Sequence, residues 1–299
     1  MMVASSRLDT ELVRRGLARS RRRAAELVDE GRVTVDGTVA RKPSQPVRED
    51  EGVEVAPGDA PEYVSRAGYK LAGALDALAR LTSDAPVVDG ASCLDAGAST
   101  GGFTQVLLER GAVHVTAVDV GHGQMSGTVA ADPRVRVVEG TDVRQLTATE
   151  VQPPPGLITA DLSFISLTKV VPVLMELVAP GGHLLLMVKP QFEVGRERLG
   201  SGGVVTSDAL REDAVVSVAE ATARVGGDIR AVVPSSLPGP AGNREYFLWA
   251  VAPAGTDAAD TMPMSGHGLA LRVAVHSAVV DDQPVLVDTA PTSTPRRPT

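Results

Sequence analysis

The stretch from Ser92 to Thr104 constrains the fold of this chain more than any other part of the sequence. It reads Ser-Cys-Leu-Asp-Ala-Gly-Ala-Ser-Thr-Gly-Gly-Phe-Thr, so a short apolar run enters a glycine-rich turn and a helical pattern follows. A second apolar run, Val113 to Val118, ends in Asp119. Strand, glycine turn, helix and strand predict an α/β domain that binds a nucleotide-like ligand, because glycine lets the backbone approach a ligand closely.

The spacing within the turn favours one ligand over another. A dinucleotide site has the pattern Gly-x-Gly-x-x-Gly, whereas here Asp95 lies two positions before the first glycine. A carboxylate at that position repels a pyrophosphate but suits the ammonium group of S-adenosylmethionine. Asp119, at the tip of the second strand, is placed to accept both hydroxyls of a ribose. A nicotinamide site and a turn without any ligand are the weaker alternatives.

The donor site predicted from this pattern has three parts. Asp95 and the turn hold the methionine portion, Asp119 holds the ribose, and Asp142, which follows a third predicted strand, can reach the adenine amino group. The predicted donor-binding residues are Asp95, Gly97, Ala98, Ser99, Thr100, Gly101, Asp119 and Asp142.

Composition sets the broad class. The 299 residues suggest about two domains, and no apolar run approaches the roughly 18 residues of a membrane span. The first nine residues contain no apolar core of a secretory signal, and a single cysteine fits a reducing cytoplasm. We therefore expect a cytoplasmic protein that does not bind membranes. The scattered histidines show no metal-ligand spacing, so no metal site is predicted.

The first fifty residues are net basic, although the whole chain carries a formal charge of -8. They predict two short helices followed by a hairpin around Asp36-Gly37, a strong turn signal. Four arginines fall within five residues at the start of the second helix, where guanidinium groups can grip RNA phosphates. With Arg7 and Arg66, the predicted RNA-binding residues are Arg7, Arg19, Arg21, Arg22, Arg23 and Arg66.

Motifs spread over most of the chain carry a family resemblance. They are Val-Ser-Arg-Ala-Gly-Tyr-Lys from Val64, the glycine turn above, Ala-Asp-Leu-Ser-Phe-Ile-Ser from Ala160, Val-Lys-Pro-Gln-Phe-Glu-Val-Gly from Val188, and Gly-Asn-Arg-Glu-Tyr-Phe-Leu from Gly242. In this order they resemble the ribosomal-RNA 2′-O-methyltransferases of the TlyA/haemolysin A family. The N-terminal helices and hairpin resemble the small RNA-binding module first described in ribosomal protein S-four.

The resemblance implies a catalytic tetrad of two lysines and two acids, carried here by Lys70, Asp161, Lys189 and Glu245. Most of these residues lie where a predicted strand or helix begins or ends, so they can converge on one crevice of the sheet. We assign Lys189 as the base that takes the proton of a ribose 2′-hydroxyl, with Asp161 orienting its amine. Glu245 would position Lys70 or the ribose.

The resemblance also implies the architecture and the partners. We expect a Rossmann-like α/β methyltransferase domain with a mostly parallel seven-stranded sheet, whose last strand is antiparallel, and a small α+β RNA-binding domain. The expected boundaries are 5–60 for the RNA-binding domain, 61–64 for a linker, 65–252 for the FtsJ-like methyltransferase domain, and 253–299 for a largely disordered tail with one short helix.

The function implied is methyl transfer from S-adenosylmethionine to ribose, on cytidine in the rRNA of the small or large ribosomal subunit, by a monomer.

Three other interpretations stay open. One is a catalytically silent RNA-binding or ribosome-assembly factor, which the presence of all four tetrad residues disfavours. A haemolysin would require a lytic or membrane-spanning segment that the sequence lacks. Base methylation typically uses an Asn-Pro-Pro-Tyr-like motif where this chain has Asp161-Leu-Ser-Phe.

Overall fold

A computed structural model describes residues 5–18, 20–29, 31–56, 62–255 and 267–287. The chain divides into two compact units, Met1–Glu62 and Tyr63–Thr299. No helix in the described ranges is long and apolar enough to cross a bilayer.

The N-terminal unit is built from two helices and two small antiparallel sheets. Its elements are β1 (Ser5–Arg7), α1 (Leu8–Arg14), α2 (Arg21–Asp29), β2 (Val33–Val35), β3 (Thr38–Val39), β4 (Pro46–Arg48) and β5 (Val53–Val55). β1 pairs with β4, and β2 lies between β3 and β5. Leu8, Leu12 and Leu27 fill the core between the helices and the sheets. The predicted hairpin is present, with Asp36 and Gly37 both at positive φ.

The C-terminal unit alternates helices and strands. Its helices are α3 (Arg66–Leu81), α4 (Gly102–Glu109), α5 (Gly127–Ala130), α6 (Val171–Leu177), α7 (Pro190–Glu193), α8 (Asp208–Arg224) and α9 (His267–Val280). Its strands are β6 (Ser92–Ala96), β7 (His114–Val118), β8 (Val135–Val138), β9 (Leu157–Ala160), β10 (His183–Val188), β11 (Asp228–Pro234), β12 (Tyr246–Val251) and β13 (Val285–Leu286). Short 3-10 turns lie at Val143–Gln145, Leu167–Lys169, Arg196–Arg198 and Ser201–Gly203.

These eight strands form one sheet in the order β13-β11-β12-β10-β9-β6-β7-β8. Strands β10, β9, β6, β7 and β8 are parallel neighbours, and β12 runs antiparallel to both β10 and β11. Alternate residues of the central strands enter two apolar layers, so Leu94 packs on one face and Cys93 on the other. The predicted fold class is confirmed, including the antiparallel strand.

The C-terminal tail requires a correction. Strand β13 pairs with β11, so the sheet has eight strands and not seven. Helix α9 packs against the core through Leu271, Ala274, Val275, Ala278 and Val279, all buried. The segment 267–287 therefore belongs to the folded domain, because its apolar face completes the core beside α8 and β11. The remaining tail positions, 256–266 and 288–299, lie outside the described residues.

Candidate active site

Polar residues gather at one edge of the large sheet. The chain order reverses between β6 and β9, and ligands of open α/β sheets bind at such a point, beyond the carboxyl ends of the strands. Since β12 is antiparallel and Tyr246 pairs with Val188, the start of β12 lies at the same edge as the end of β10. The sheet thereby brings five predicted residues to this edge: Gly97, Asp119, Asp161, Lys189 and Glu245.

Lys189 and Asp161 form the first of two ion pairs at this edge. Lys189 Nζ lies 2.6 Å from Asp161 Oδ1 and donates to Ser163 Oγ at 3.1 Å. The lysine side chain is 11% exposed and lines a cavity of about 280 Å³. Its amine also lies 6.0 Å from the centre of the Phe192 ring. The lysine is thus held in one position while remaining accessible from the cavity.

Lys70 and Glu245 form the second ion pair. Helix α3 carries Lys70, whose Nζ donates to Glu245 Oε2 at 2.5 Å. Both residues are buried, with 6% and 3% of their surfaces exposed, yet both line the same cavity as Lys189. The other carboxylate oxygen of Glu245 accepts a long hydrogen bond of 3.4 Å from Gln191 Nε2. The structure therefore brings the four residues of the predicted tetrad around one cavity.

A second, larger cavity adjoins the first. Its volume is about 720 Å³, and it shares Gly97, Ser99, Asp161 and Ser163 with the smaller one. Gly97, at φ 87°, lies so close to β9 that a Cβ atom would stand 2.6 Å from the carbonyl oxygen of Asp161. Only glycine fits there, so this position keeps the two strand ends together between the cavities.

Asp119 lines the larger cavity, and its carboxylate organises the surrounding loops. One oxygen accepts the Ser99 amide at 2.8 Å and the other accepts the Gly121 amide at 2.7 Å. Each oxygen keeps a lone pair for a further donor. A carboxylate fixed by two amides at the end of the second strand can accept two neighbouring hydroxyls.

Asp95 lies elsewhere than predicted. It is completely buried and lines neither cavity; one oxygen accepts the Thr104 hydroxyl at 2.7 Å and the other lies 3.4 Å from the Thr159 hydroxyl. A direct contact with the ammonium group of a donor is not supported by this position. Burial raises the pKa of Asp95 to about 7. Asp95 instead supports the start of α4 from within the core, through Thr104.

The Asp95→Asn variant is expected to change how stability depends on pH. The folded chain binds a proton at Asp95 that the unfolded chain releases near pH 4, so the free energy of unfolding falls as pH rises from about 4 to 7. Between pH 5 and 8 the loss amounts to about 2–3 kcal/mol in the ligand-free protein, and the variant should lack it. Urea unfolding at both pH values measures this difference; equal slopes for the two proteins would contradict it.

The remaining predicted donor residues divide between the cavities. Ala98 and Thr100 line the smaller one, Ser99 lines both, and Asp142 lines the larger one. Arg144 donates to both carboxylate oxygens of Asp142 and lowers the pKa of that carboxyl. An adenine amino group that binds Asp142 would therefore bind a carboxylate that already accepts hydrogen bonds from Arg144. Gly101 lines neither cavity; it precedes α4 at φ 91°, in close contact with Val129.

The predicted RNA-binding arginines of the N-terminal unit are engaged in ion pairs with acidic neighbours. Arg7 and Arg21 both bind the carboxylate of Asp9, and Arg22 binds Glu26. Arg23, which is largely buried, binds Glu26 and Glu62. The other two predicted residues differ: Arg19 lies outside the described residues, and Arg66 donates to the carbonyl of Pro238 beside the smaller cavity.

The side chains of Arg7, Arg21 and Arg22 are between 52% and 74% exposed, so their outer faces stay available to a polyanion. Their ion pairs also fix the guanidinium groups in place. The arginines near Asp9 hold the pKa of that carboxyl well below its usual range. We therefore expect the acid to remain charged and to keep these arginines positioned at any physiological pH.

Several residues at the site were not singled out from the sequence. Phe164 is 92% exposed at φ 64° on the wall of the larger cavity, and its ring lies 5.2 Å from that of Phe192. Glu193 and Gln191 lie in the same motif as Lys189. In the sequence these residues are marked only by their positions within the motifs that carry the family resemblance. Their exposure and their contacts between loops cannot be inferred from the order of residues along the chain.

Among the residues that the structure describes, no group of three or more His, Cys, Asp or Glu side chains is arranged to hold a metal ion.

Sheet order and site together define a Rossmann-like methyltransferase: an antiparallel strand lies inside a parallel sheet, and a carboxylate follows the second strand of the α/β unit. The chain belongs to the FtsJ-like methyltransferase family, whose model matches residues 63–252. An S4 domain matches residues 6–53 of the N-terminal unit.

Similar proteins extend this assignment. The 16S/23S rRNA (cytidine-2′-O)-methyltransferase TlyA of Mycobacterium tuberculosis is 48% identical over 248 residues, which cover 83% of this chain and 90% of that protein. Hemolysin A of Brachyspira hyodysenteriae is 34% identical over 69% of this chain and 83% of its own length. The solved structure of a Streptococcus thermophilus protein that carries a hemolysin name has a TM-score of 0.64, with 30% identity over 93% of this chain and 96% of that chain.

Proposed function

We propose that this protein methylates the ribose 2′-hydroxyl of a cytidine in ribosomal RNA, with S-adenosylmethionine as the methyl donor. The observation that carries the proposal is the position of Lys189, held by Asp161 at the wall of a cavity that adjoins a second, nucleoside-sized one. The name and the 48% identity of the mycobacterial relative support the substrate class. We further propose that the protein acts as a cytoplasmic monomer on one or both ribosomal subunits.

The larger cavity fits the donor. Its volume of about 720 Å³ lies within the range of small-molecule sites, which is roughly 300–1,000 Å³. Asp119 would hold the ribose hydroxyls, and the turn around Ser99 would hold the methionine portion between the two cavities. When bound, S-adenosylmethionine supplies an electrophilic methyl group on a sulfonium centre.

Lys189 would take the proton of the 2′-hydroxyl. In its neutral form the amine has a lone pair that can accept this proton, while Asp161 and Ser163 fix the direction of the amine. Once the proton arrives, the ammonium ion is stabilised by the Asp161 carboxylate at 2.6 Å. The ribose 2′-oxygen is therefore activated as a nucleophile only beside Lys189. This role would account for the pairing of Lys189 with the Asp161 carboxylate at the edge of the sheet.

Lys70 and Glu245 would shape the substrate side of the cavity. The charges of the ammonium and carboxylate groups neutralise each other. The pair therefore places hydrogen-bond donors and acceptors in the cavity of Lys189 without adding a net charge there. Arg66, which lines the same cavity, offers a cation for an RNA phosphate. The exposed ring of Phe164 offers a stacking face for an unpaired base, a common mode of RNA recognition.

Transfer of labelled methyl groups to isolated, unmodified ribosomal subunits tests the proposed substrate. Small and large subunits are incubated separately with the full-length protein and labelled S-adenosylmethionine, beside the same RNA stripped of protein. We expect incorporation into the RNA of at least one subunit. Measurable donor binding without transfer to either subunit would refute ribosomal RNA as the substrate.

Removal of residues 1–60 is expected to abolish transfer to subunits while leaving donor binding within a few-fold of the full-length value. The donor cavity is lined entirely by residues of the C-terminal unit, whereas the exposed arginines of the N-terminal unit would supply phosphate contacts. Calorimetric titration with S-adenosylmethionine and the transfer assay measure the two effects. Loss of donor binding in the truncated protein would contradict this division of labour.

A further inference from the structure

Two loops at the active site contact each other at three successive points. One loop follows β9 and carries Asp161, Ser163 and Phe164; the other is the end of β10 with helix α7. The first contact is Lys189 with Asp161 and Ser163, and the second is the ring of Phe192 against that of Phe164. The third lies farthest along both loops: the carboxylate of Glu193 binds the residues that follow Phe164.

Both oxygens of Glu193 are used in this third contact. Oε2 accepts the Ser166 hydroxyl at 2.5 Å, and Oε1 accepts the Leu167 amide at 2.9 Å. These donors belong to the beginning of the 3-10 turn Leu167–Lys169, where backbone amides lack partners of their own. Glu193 is half-buried, and this burial raises the pKa of its carboxyl. Since each oxygen has a donor, the contact fixes the loop in one register.

Phe164 lies between the two polar contacts. Its backbone is at φ 64°, a left-handed conformation that is costly for a bulky residue, by roughly 1–3 kcal/mol. The residue is 92% exposed, so burial contributes little to stabilising this conformation. Besides the ring contact with Phe192, restraints on either side hold it: Ser163 is bound by Lys189 and Ser166 is bound by Glu193. Without one restraint, the loop can relax and the ring can leave the cavity wall.

We infer that Glu193 is a positioning residue for methyl transfer: its bonds to Ser166 and Leu167 hold Phe164 beside the larger, donor-binding cavity, where the exposed face of its ring meets the RNA substrate. This inference rests on the proposed function, because it assigns an RNA contact to Phe164. Glu193 lines neither cavity, so it acts through the loop and not on the substrate.

The Glu193→Gln variant of the full-length protein tests this role. The amide keeps the shape but removes the charge: its oxygen can still accept the Leu167 amide, whereas its NH2 group can only donate, so the bond from the Ser166 hydroxyl to a charged acceptor is lost. We expect the KM for ribosomal subunits to rise roughly tenfold, as for the loss of one hydrogen bond to a charged group, with the Kd for S-adenosylmethionine within about twofold of wild type. Glu176→Gln, the same change at an exposed position of α6, is the matched control and should behave as wild type.

A double variant distinguishes positioning from a general loss of structure. Phe164→Ala removes the ring, so adding Glu193→Gln to it should raise the KM by less than about twofold more. Equal effects of Glu193→Gln with and without the ring would overturn the inference, and so would an unchanged KM in the single variant. If Glu193→Gln lowers the Tm by several degrees, Ser166→Ala, which removes the hydroxyl bound by Glu193 together with its bond to the Thr168 amide, should show the same dependence on Phe164.

Failure of the proposed function has a different signature. A wild-type protein that transfers no methyl group to either subunit would overturn the proposed function and this inference together. An active wild type with a Glu193→Gln variant that is equally active would overturn the role of Glu193 alone.

Discussion

Replacing Lys189 with methionine is expected to lower methyl transfer by about a hundredfold to ten-thousandfold, the usual contribution of a general base. Methionine keeps much of the length of the side chain but removes the amine that faces the cavity. Lys189 does not line the larger cavity, so binding of S-adenosylmethionine should change little. Single-turnover transfer to ribosomal subunits, at saturating donor, isolates the loss in the chemical step.

Arg80→Met provides the control for this variant, because Arg80 is an exposed cation in the last turn of α3. It should keep the wild-type rate. A Lys189→Met protein with the wild-type single-turnover rate would show that another group, or water, takes the proton. A loss that is matched by an equal loss of donor affinity would assign Lys189 to binding and not to proton transfer.

Breaking the buried ion pair between Lys70 and Glu245 is expected to destabilise the protein by about 3–5 kcal/mol. Both side chains are almost fully buried, so Lys70→Met leaves the glutamate charge without its cation and Glu245→Gln leaves the ammonium ion without its anion. Either variant should also transfer methyl groups poorly, since both residues line the cavity of Lys189. Urea unfolding monitored by circular dichroism gives the change in the free energy of unfolding.

The double variant Lys70→Met with Glu245→Gln separates stability from activity. Removing both charges eliminates the uncompensated one, so the double variant should be more stable than the sum of the two single losses predicts. Its activity should stay low, because neither polar group is restored. A double variant that recovers both stability and activity would show that the pair has a purely structural role. Single variants that lose less than about 1 kcal/mol would contradict the expected burial cost.

Much of the C-terminal unit could be predicted from local sequence. The apolar run before Asp95, the glycine turn and the run ending in Asp119 define a β-α-β unit by themselves. Parallel strands then bring their carboxyl ends to one edge, so the crevice follows from the topology. The position of the start of β12 came from the family resemblance, which implies an antiparallel last strand that returns its N-terminus to that edge. Three members of the tetrad lie at the ends of these strands, whereas Lys70 is carried by helix α3 and was assigned to the tetrad from the family resemblance.

Other features depend on tertiary contacts that no local pattern contains. Strand β13 has two residues, and it exists because β11 offers an unpaired edge. Asp95 sits in a glycine-turn motif that suggests an exposed ligand contact, yet Thr104 and Thr159 enclose its carboxylate. The arginines of the N-terminal unit resemble a free basic cluster in the sequence. Arg21 is nevertheless paired with Asp9, which lies 12 positions earlier, although the pair between Arg22 and Glu26 has the local i,i+4 spacing of a helix.

The chemical identity of the product tests the central claim most directly. After transfer of labelled methyl groups to ribosomal subunits, the RNA is treated with alkali, which cleaves a strand only where a 2′-hydroxyl is free. We predict that the label resides in an alkali-resistant dinucleotide, which yields 2′-O-methylcytidine on enzymatic digestion, and that Lys189→Met removes this product. Label on a base would instead be found in the mononucleotides that alkali releases. That result would contradict ribose methylation and the assigned role of Lys189.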